Sequence, residues 1–191
     1  MKKLILLLLI LSSILSAMAQ DTQGFKQTYE NGKELFKMER YGLAMQTFKP
    51  LTSSFNDNPY IRHASFYYAV SAYHEKQYDI AAAMLNQIKS SFPEWEQTDE
   101  VNLWLSKIHN KKKDYGKAIA VAQQIKNPQV KTYANEMLAN DLSTIQSFDS
   151  LKTLSNQYPE NKEVAVSLAK FIAKQPLSEQ DRNLLFDVIE K

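Results

Sequence analysis

The chain has 191 residues, 23 Lys and Arg against 21 Asp and Glu, 4 Gly, 6 Pro and no cysteine. The cysteine count excludes disulfides, thiolate metal sites, a cysteine nucleophile and lipid attachment through a cysteine, and the scarcity of Gly and Pro excludes long flexible linkers. Lys2 and Lys3 carry the whole positive excess, so the remainder of the chain is neutral, which argues against a nucleic-acid partner.

Residues 1–19 read as a secretory signal peptide. Lys2 and Lys3 give a positive start, Leu4 to Leu15 an apolar run broken by Ser12 and Ser13, and Ala17-Met18-Ala19 a small-x-small site with cleavage before Gln20. The run falls short of the roughly 18–20 residues needed to span hydrocarbon, and no second such run follows. The expectation is an exported protein of the periplasm or cell envelope, Gram-negative-like, soluble, without a membrane span after cleavage and not lipidated. Residues 20–191 are enough for one domain with a sizeable core.

Within that domain, Phe25, Tyr29, Leu35, Phe36 and Met38 recur at helical spacing from Gln23 to Glu39. Tyr41 and Gly42 mark a turn, and Ala44, Met45, Phe48 and Leu51 form a second apolar stripe, with Pro50 a kink or late turn. Asn56-Asp57-Asn58-Pro59 breaks the chain. A second pair follows: a helix from His63 to Lys76, a turn at Gln77-Tyr78-Asp79, and an Ala-rich helix from Ile80 to Ser90 that Phe92-Pro93 ends. The third runs from Thr98, read as an N-cap, to His109, then through Tyr115 to a helix over Ala118–Ile125. Val130–Asn140 and Ser147–Tyr158 form a degenerate fourth pair, with Ser147 taking the place of the alanine that opens the other second helices. Asn161–Lys174 and Ser178–Lys191 close the chain, the last helix opened by Ser178-x-x-Asp181, a capping-box-like start.

The pairs are one repeat. Tyr41-Gly-Leu-Ala44, Tyr78-Asp-Ile-Ala81 and Tyr115-Gly-Lys-Ala118 return every 37 residues, with Phe48, Leu85 and Ala122, and Leu51, Ile88 and Ile125, in the same register. A fixed period of this size is the mark of a helical repeat array, which works by presenting a surface. The repeats span about 25–59, 60–94 and 98–128, then the degenerate 130–159 and the terminal pair 161–191.

With Ala44, Ala81 and Ala118 placed at the small position of the second helix, Gly32, Ala69 and Ser106 fall at that of the first, and Pro93 at the proline position. This pattern resembles the tetratricopeptide repeat (TPR) family in its divergent, exported bacterial type. The leader and the repeats are similar to N-terminal TPR modules of Gram-negative envelope proteins, some of which precede a periplasmic-binding-protein-like domain in activators of penicillin-binding proteins. The period departs from the family's shorter one, so extra residues lengthen the connection at Glu94-Trp95-Glu96. The resemblance implies an all-α, right-handed α-solenoid of about four to five antiparallel helix pairs. It also implies a concave groove lined by first helices, carried here by Lys26, Tyr29, Lys33, Phe36 and Lys37; by His63, Phe66, Val70, Tyr73 and His74; and by Glu100, Leu103, Lys107, Asn110 and Lys111. Lysines beside aromatic faces suit an extended peptide with acidic and apolar side chains. The competing reading makes the aromatics core and the lysines a solvated face.

Chemistry has no visible machinery. The histidines His63, His74 and His109 lack metal-ligand spacing, Asp99-Glu100 and Lys111-Lys112-Lys113 suit the two ends of a helix dipole, and no phosphate loop or nucleophile motif occurs. The expectation is a non-catalytic protein without cofactor or metal. It would be an adaptor that binds a peptide or protein in an envelope assembly, an accessory docking module of a larger periplasmic ligand-binding or cell-wall enzyme-regulating protein, or a chaperone-like holder. Trp104 is read as packing between the second and third repeats. Trp95, in the long connection, is either an exposed anchor for a partner or a cap on the hydrophobic seam. Leu184, Leu185, Phe186, Val188 and Ile189 give the 178–191 helix a wide apolar side, read as a surface for self-association, a partner or a further domain.

Overall fold

A computed structural model of the chain describes residues 23–53, 58–174 and 183. The expected leader, and all but one residue of the expected last helix, lie outside the described residues. The described chain is all-α, in TPR-like helix pairs, with no strand among the described residues. The first helix, α1, covers 23–37. It is followed by α2 (Tyr41–Thr52), α3 (Ile61–His74), α4 (Tyr78–Ser91), α5 (Thr98–Lys111), α6 (Tyr115–Ala122), α7 (Pro128–Leu142), α8 (Phe148–Gln157) and α9 (Lys162–Ala173). Two compact units divide the chain, Met1–Pro93 and Glu94–Lys191.

The 37-residue period reappears as a backbone device. Glu39, Lys76 and Lys113 have φ of 57°, 60° and 60°, the left-handed conformation that closes a helix at its first residue outside. At each one, two amide N–H groups turn back to the preceding helix: Arg40 N–H donates to Leu35 O, Gln77 N–H to Ala72 O and Asp114 N–H to His109 O, at 2.8–2.9 Å. The bend is therefore made at these residues. Tyr41 and Tyr78, expected as turn residues, are instead the first residues of the second helices, as Tyr115 is in the third pair. Only the third bend adds a side-chain cap, Asp114 accepting from the Lys117 N–H.

In the first unit, Tyr29, Ala44, Phe48, Leu51, Ala64 and Tyr68 form a core shared by α1, α2 and α3. At Gly32 the packing is close: a Cβ there would meet the Phe48 ring at 2.6 Å. Ala44 and Ala81 are fully buried, as the small-residue register requires. Pro50 is accommodated inside the last turn of α2.

In the second unit, α5, α7 and α9 pack side by side, and α6 and α8 contact each other. Ala118, Ile119, Ala122, Ile125, Ala134, Leu138, Leu142, Leu154 and Val164 form its main core, and Leu151, Leu168 and Ile172 a second one between α8 and α9. Ser106, fully buried, donates its hydroxyl to Ala118 O at 3.0 Å, so the small side chain lets α6 approach and satisfies its own donor. Three helix starts follow local chemistry: Asn127 caps α7 ahead of Pro128, Ser147 caps α8 and Asn161 caps α9. Ser147 is thus an exposed cap and does not occupy the buried alanine position expected for it. Thr98 is not an N-cap either: Gln97 holds that place, and the Thr98 hydroxyl donates backward to Trp95 O at 2.6 Å.

Candidate functional site

The TPR resemblance implies a groove lined by first-helix side chains, and the structure sorts them. In the first unit, α1 and α3 meet along an aromatic seam. Tyr29 stacks on Tyr60 with centroids 4.7 Å apart and meets Tyr67 and His63 edge-on. Phe36 then bridges Tyr67 at 5.0 Å and Tyr41 at 5.4 Å, and Tyr41 stacks face to face on His74 at 4.0 Å.

Tyr29, expected to line the groove, is a core residue only 8% exposed. Burial, aided by Tyr67, Glu30 and Tyr60, pushes its phenol up to about 12. Phe66 and Tyr73 are half-buried, His63 likewise, and His74 is exposed. The lysines of α1 are engaged locally. Lys33 lies 3.2 Å from Glu30 and over the Tyr29 ring at 5.3 Å. Lys37 pairs with Glu34 at 3.1 Å, and Lys26 is exposed. On α1, then, the lysines complete the helix's own charge pattern.

In the second unit the arrangement differs. Lys107 Nζ sits over the Trp104 ring at 4.3 Å and over the Tyr133 ring of α7 at 5.0 Å, with Lys111 exposed one turn on. Tyr133 was not among the expected site residues and is 50% exposed. The Trp104-x-x-Lys107 spacing was legible, since residues three apart share a helix face. The approach of Tyr133, from a different helix, left no mark in the sequence.

Trp95, the candidate exposed anchor, is 3% exposed and belongs to the buried framework. Its indole is therefore covered and does not project as an anchor. Asp99, expected to serve the α5 dipole, accepts from the backbone N–H groups of Lys126 and Asn127 at 3.0 and 2.7 Å and so fastens the α6–α7 turn. His109 is half-buried, and burial pushes its imidazole pKa down. Among the described residues no group of His, Asp and Glu is arranged to hold a metal ion, and no helix is long and apolar enough to cross a membrane.

A family model described as YfiO, outer membrane lipoprotein, matches residues 21–173. The chain belongs to that family. Its helix pairs are therefore TPR-like pairs in an envelope protein of the outer-membrane lipoprotein kind. That description overturns the expectation of an unlipidated protein. The expectation rested on the absence of one residue type, cysteine, from the sequence, whereas the family match rests on the pattern of 153 residues. The envelope location stands. A search of curated proteins finds no match to the chain.

Proposed function

We propose that this protein is a non-catalytic scaffold of the cell envelope that holds a peptide or protein partner on the exposed faces of its first helices. Two such faces are available, one in each unit: the His63–Phe66–Tyr73 side of α3 and the Trp104–Lys107–Tyr133 side of α5 and α7. Membership of an outer-membrane lipoprotein family supports the location. The observation that carries the reading is Tyr133, a large aromatic ring left half-exposed on a face that already carries a half-buried tryptophan and a lysine. Aromatic and long basic side chains gathered on one face are the composition of a protein-binding patch, since they supply large contact area with few rotors.

Photoreactive side chains placed at Phe66 and Lys111 test it against the same groups at Gln46 and Gln123, which lie on α2 and at the end of α6. The expected result is one identified envelope protein captured from the first pair of positions. That protein, once purified, should bind the full chain, and the control positions should capture far less of it. Equal capture from all four positions, or failure of the purified protein to bind, would sink the proposal.

A further inference from the structure

We infer that Trp104, Lys107 and Tyr133 form an anchor for an acidic side chain, an aspartate or glutamate flanked by an apolar residue, in the partner segment. This rests on the scaffold reading above and specifies one site within it.

The inference starts from the surroundings of Lys107, set beside three lysines that do pair. Lys33, Lys37 and Lys117 each pair with an acid three residues earlier, Glu30, Glu34 and Asp114, at 2.8–3.2 Å. Lys107 has no such neighbour. One turn to either side along α5 stand Leu103, Trp104, Asn110 and Lys111, so the helix provides no carboxylate and adds a second cation. On α7, Glu136 lies one turn beyond Tyr133, yet Lys107 makes no ion pair among the described residues. The ammonium is instead held by two ring faces, at 4.3 and 5.0 Å.

Ring faces attract a cation through their quadrupole without neutralising it or accepting all its protons. Lys107 is half-buried, and its ammonium rests against the two rings. A cation resting on two rings with open N–H donors favours a carboxylate, because less side-chain entropy remains to be lost on binding. The half-exposed Tyr133 ring beside it covers an apolar side chain next to that carboxylate. A free inorganic anion would leave that ring surface wet.

The test uses the full chain, isotope-labelled in its lysine side chains and tryptophan indoles, and titrates it with short peptides acetylated and amidated at their ends. One peptide carries glutamate between two leucines, and the other glutamine in the same place. The glutamate peptide should shift the Lys107 and Trp104 signals saturably and bind about tenfold more tightly than the glutamine peptide, the difference expected of a charge-assisted bond. Lys107→Met, which keeps an apolar stem over the rings, should abolish that preference while circular dichroism stays unchanged. Tyr133→Ala should weaken both peptides. Equal binding of the two peptides, shifts confined to other lysines, or binding that requires a free chain-terminal carboxylate would each overturn the inference. A partner captured only through Phe66 would leave the scaffold reading intact while removing this anchor, so the two fail separately.

Discussion

Gly32→Ala sets two known effects against each other at a close contact between α1 and α2. Alanine in place of glycine inside α1 should favour the helix by about 1 kcal/mol, because the unfolded glycine has more backbone freedom to lose. The new methyl would lie 2.6 Å from Cε1 and Cζ of Phe48 and 2.9 Å from Cδ1. Carbon atoms settle at roughly 3.5–4.0 Å, so the ring has to retreat by about 1 Å. Phe48 is 0% exposed and stacked on Tyr67 at 5.5 Å, which leaves it no room. Overpacking of this kind costs about 1–3 kcal/mol. The expected sum is a net destabilisation of about 1 kcal/mol, or a fall in Tm of roughly 2–4 °C for a chain of this size. Gly24→Ala is the control, because no atom lies within 4 Å of its Cβ position and only the helical gain should appear. Urea unfolding followed by circular dichroism measures both, alone and in a Phe48→Leu background, where the shorter side chain should turn Gly32→Ala from destabilising to neutral or stabilising. If Gly32→Ala stabilises the protein with Phe48 intact, by as much as Gly24→Ala does, the packing argument is wrong.

Asp99→Ala should lower stability by about 1–2 kcal/mol, since it strands two backbone donors that water can partly reach, and Asp99→Asn by less, because one acceptor remains. Urea midpoints for the pair decide this, and equal losses would refute the two-bond account. Trp95→Ala should cost about 3–5 kcal/mol of stability as a core truncation, while the protein that remains folded binds its partner as before; weakened binding at full stability would restore the exposed-anchor reading. The half-buried imidazole of His109 makes stability pH-dependent in a defined direction. Its folded pKa lies below the ordinary 6.5, so this contribution is full above pH 6.5 and is lost as pH falls through the folded value. His109→Gln should flatten that acid-side slope of the urea midpoint, and an unchanged slope would show that another group causes it.

The sequence by itself determined the scaffold. Periodic packing leaves a periodic trace, so the 37-residue recurrence of the small positions was readable, and Ala44, Ala69, Ala81, Ser106 and Ala118 are all fully buried where that register places them. Helix ends written in a few adjacent residues, such as Asn127-Pro128 and Asn161, were marked in the same way. The position of the bends was not. Glu39, Lys76 and Lys113 adopt the left-handed conformation without being glycine, and the conspicuous tyrosines two residues later drew the turn toward themselves.

Which first-helix side chains face outward was decided only by tertiary structure, because the answer depends on what the neighbouring helix covers. Tyr29 is sealed by Tyr67 of α3 and by Tyr60 just ahead of it, and Trp95 is buried although it lies in a long connection. Lys107 gains Tyr133, 26 positions further along the chain. A period in the sequence records the spacing at which helices repeat. The aromatic clasp around Lys107 depends on how α5 and α7 lie against each other, and that arrangement exists only once both helices are packed.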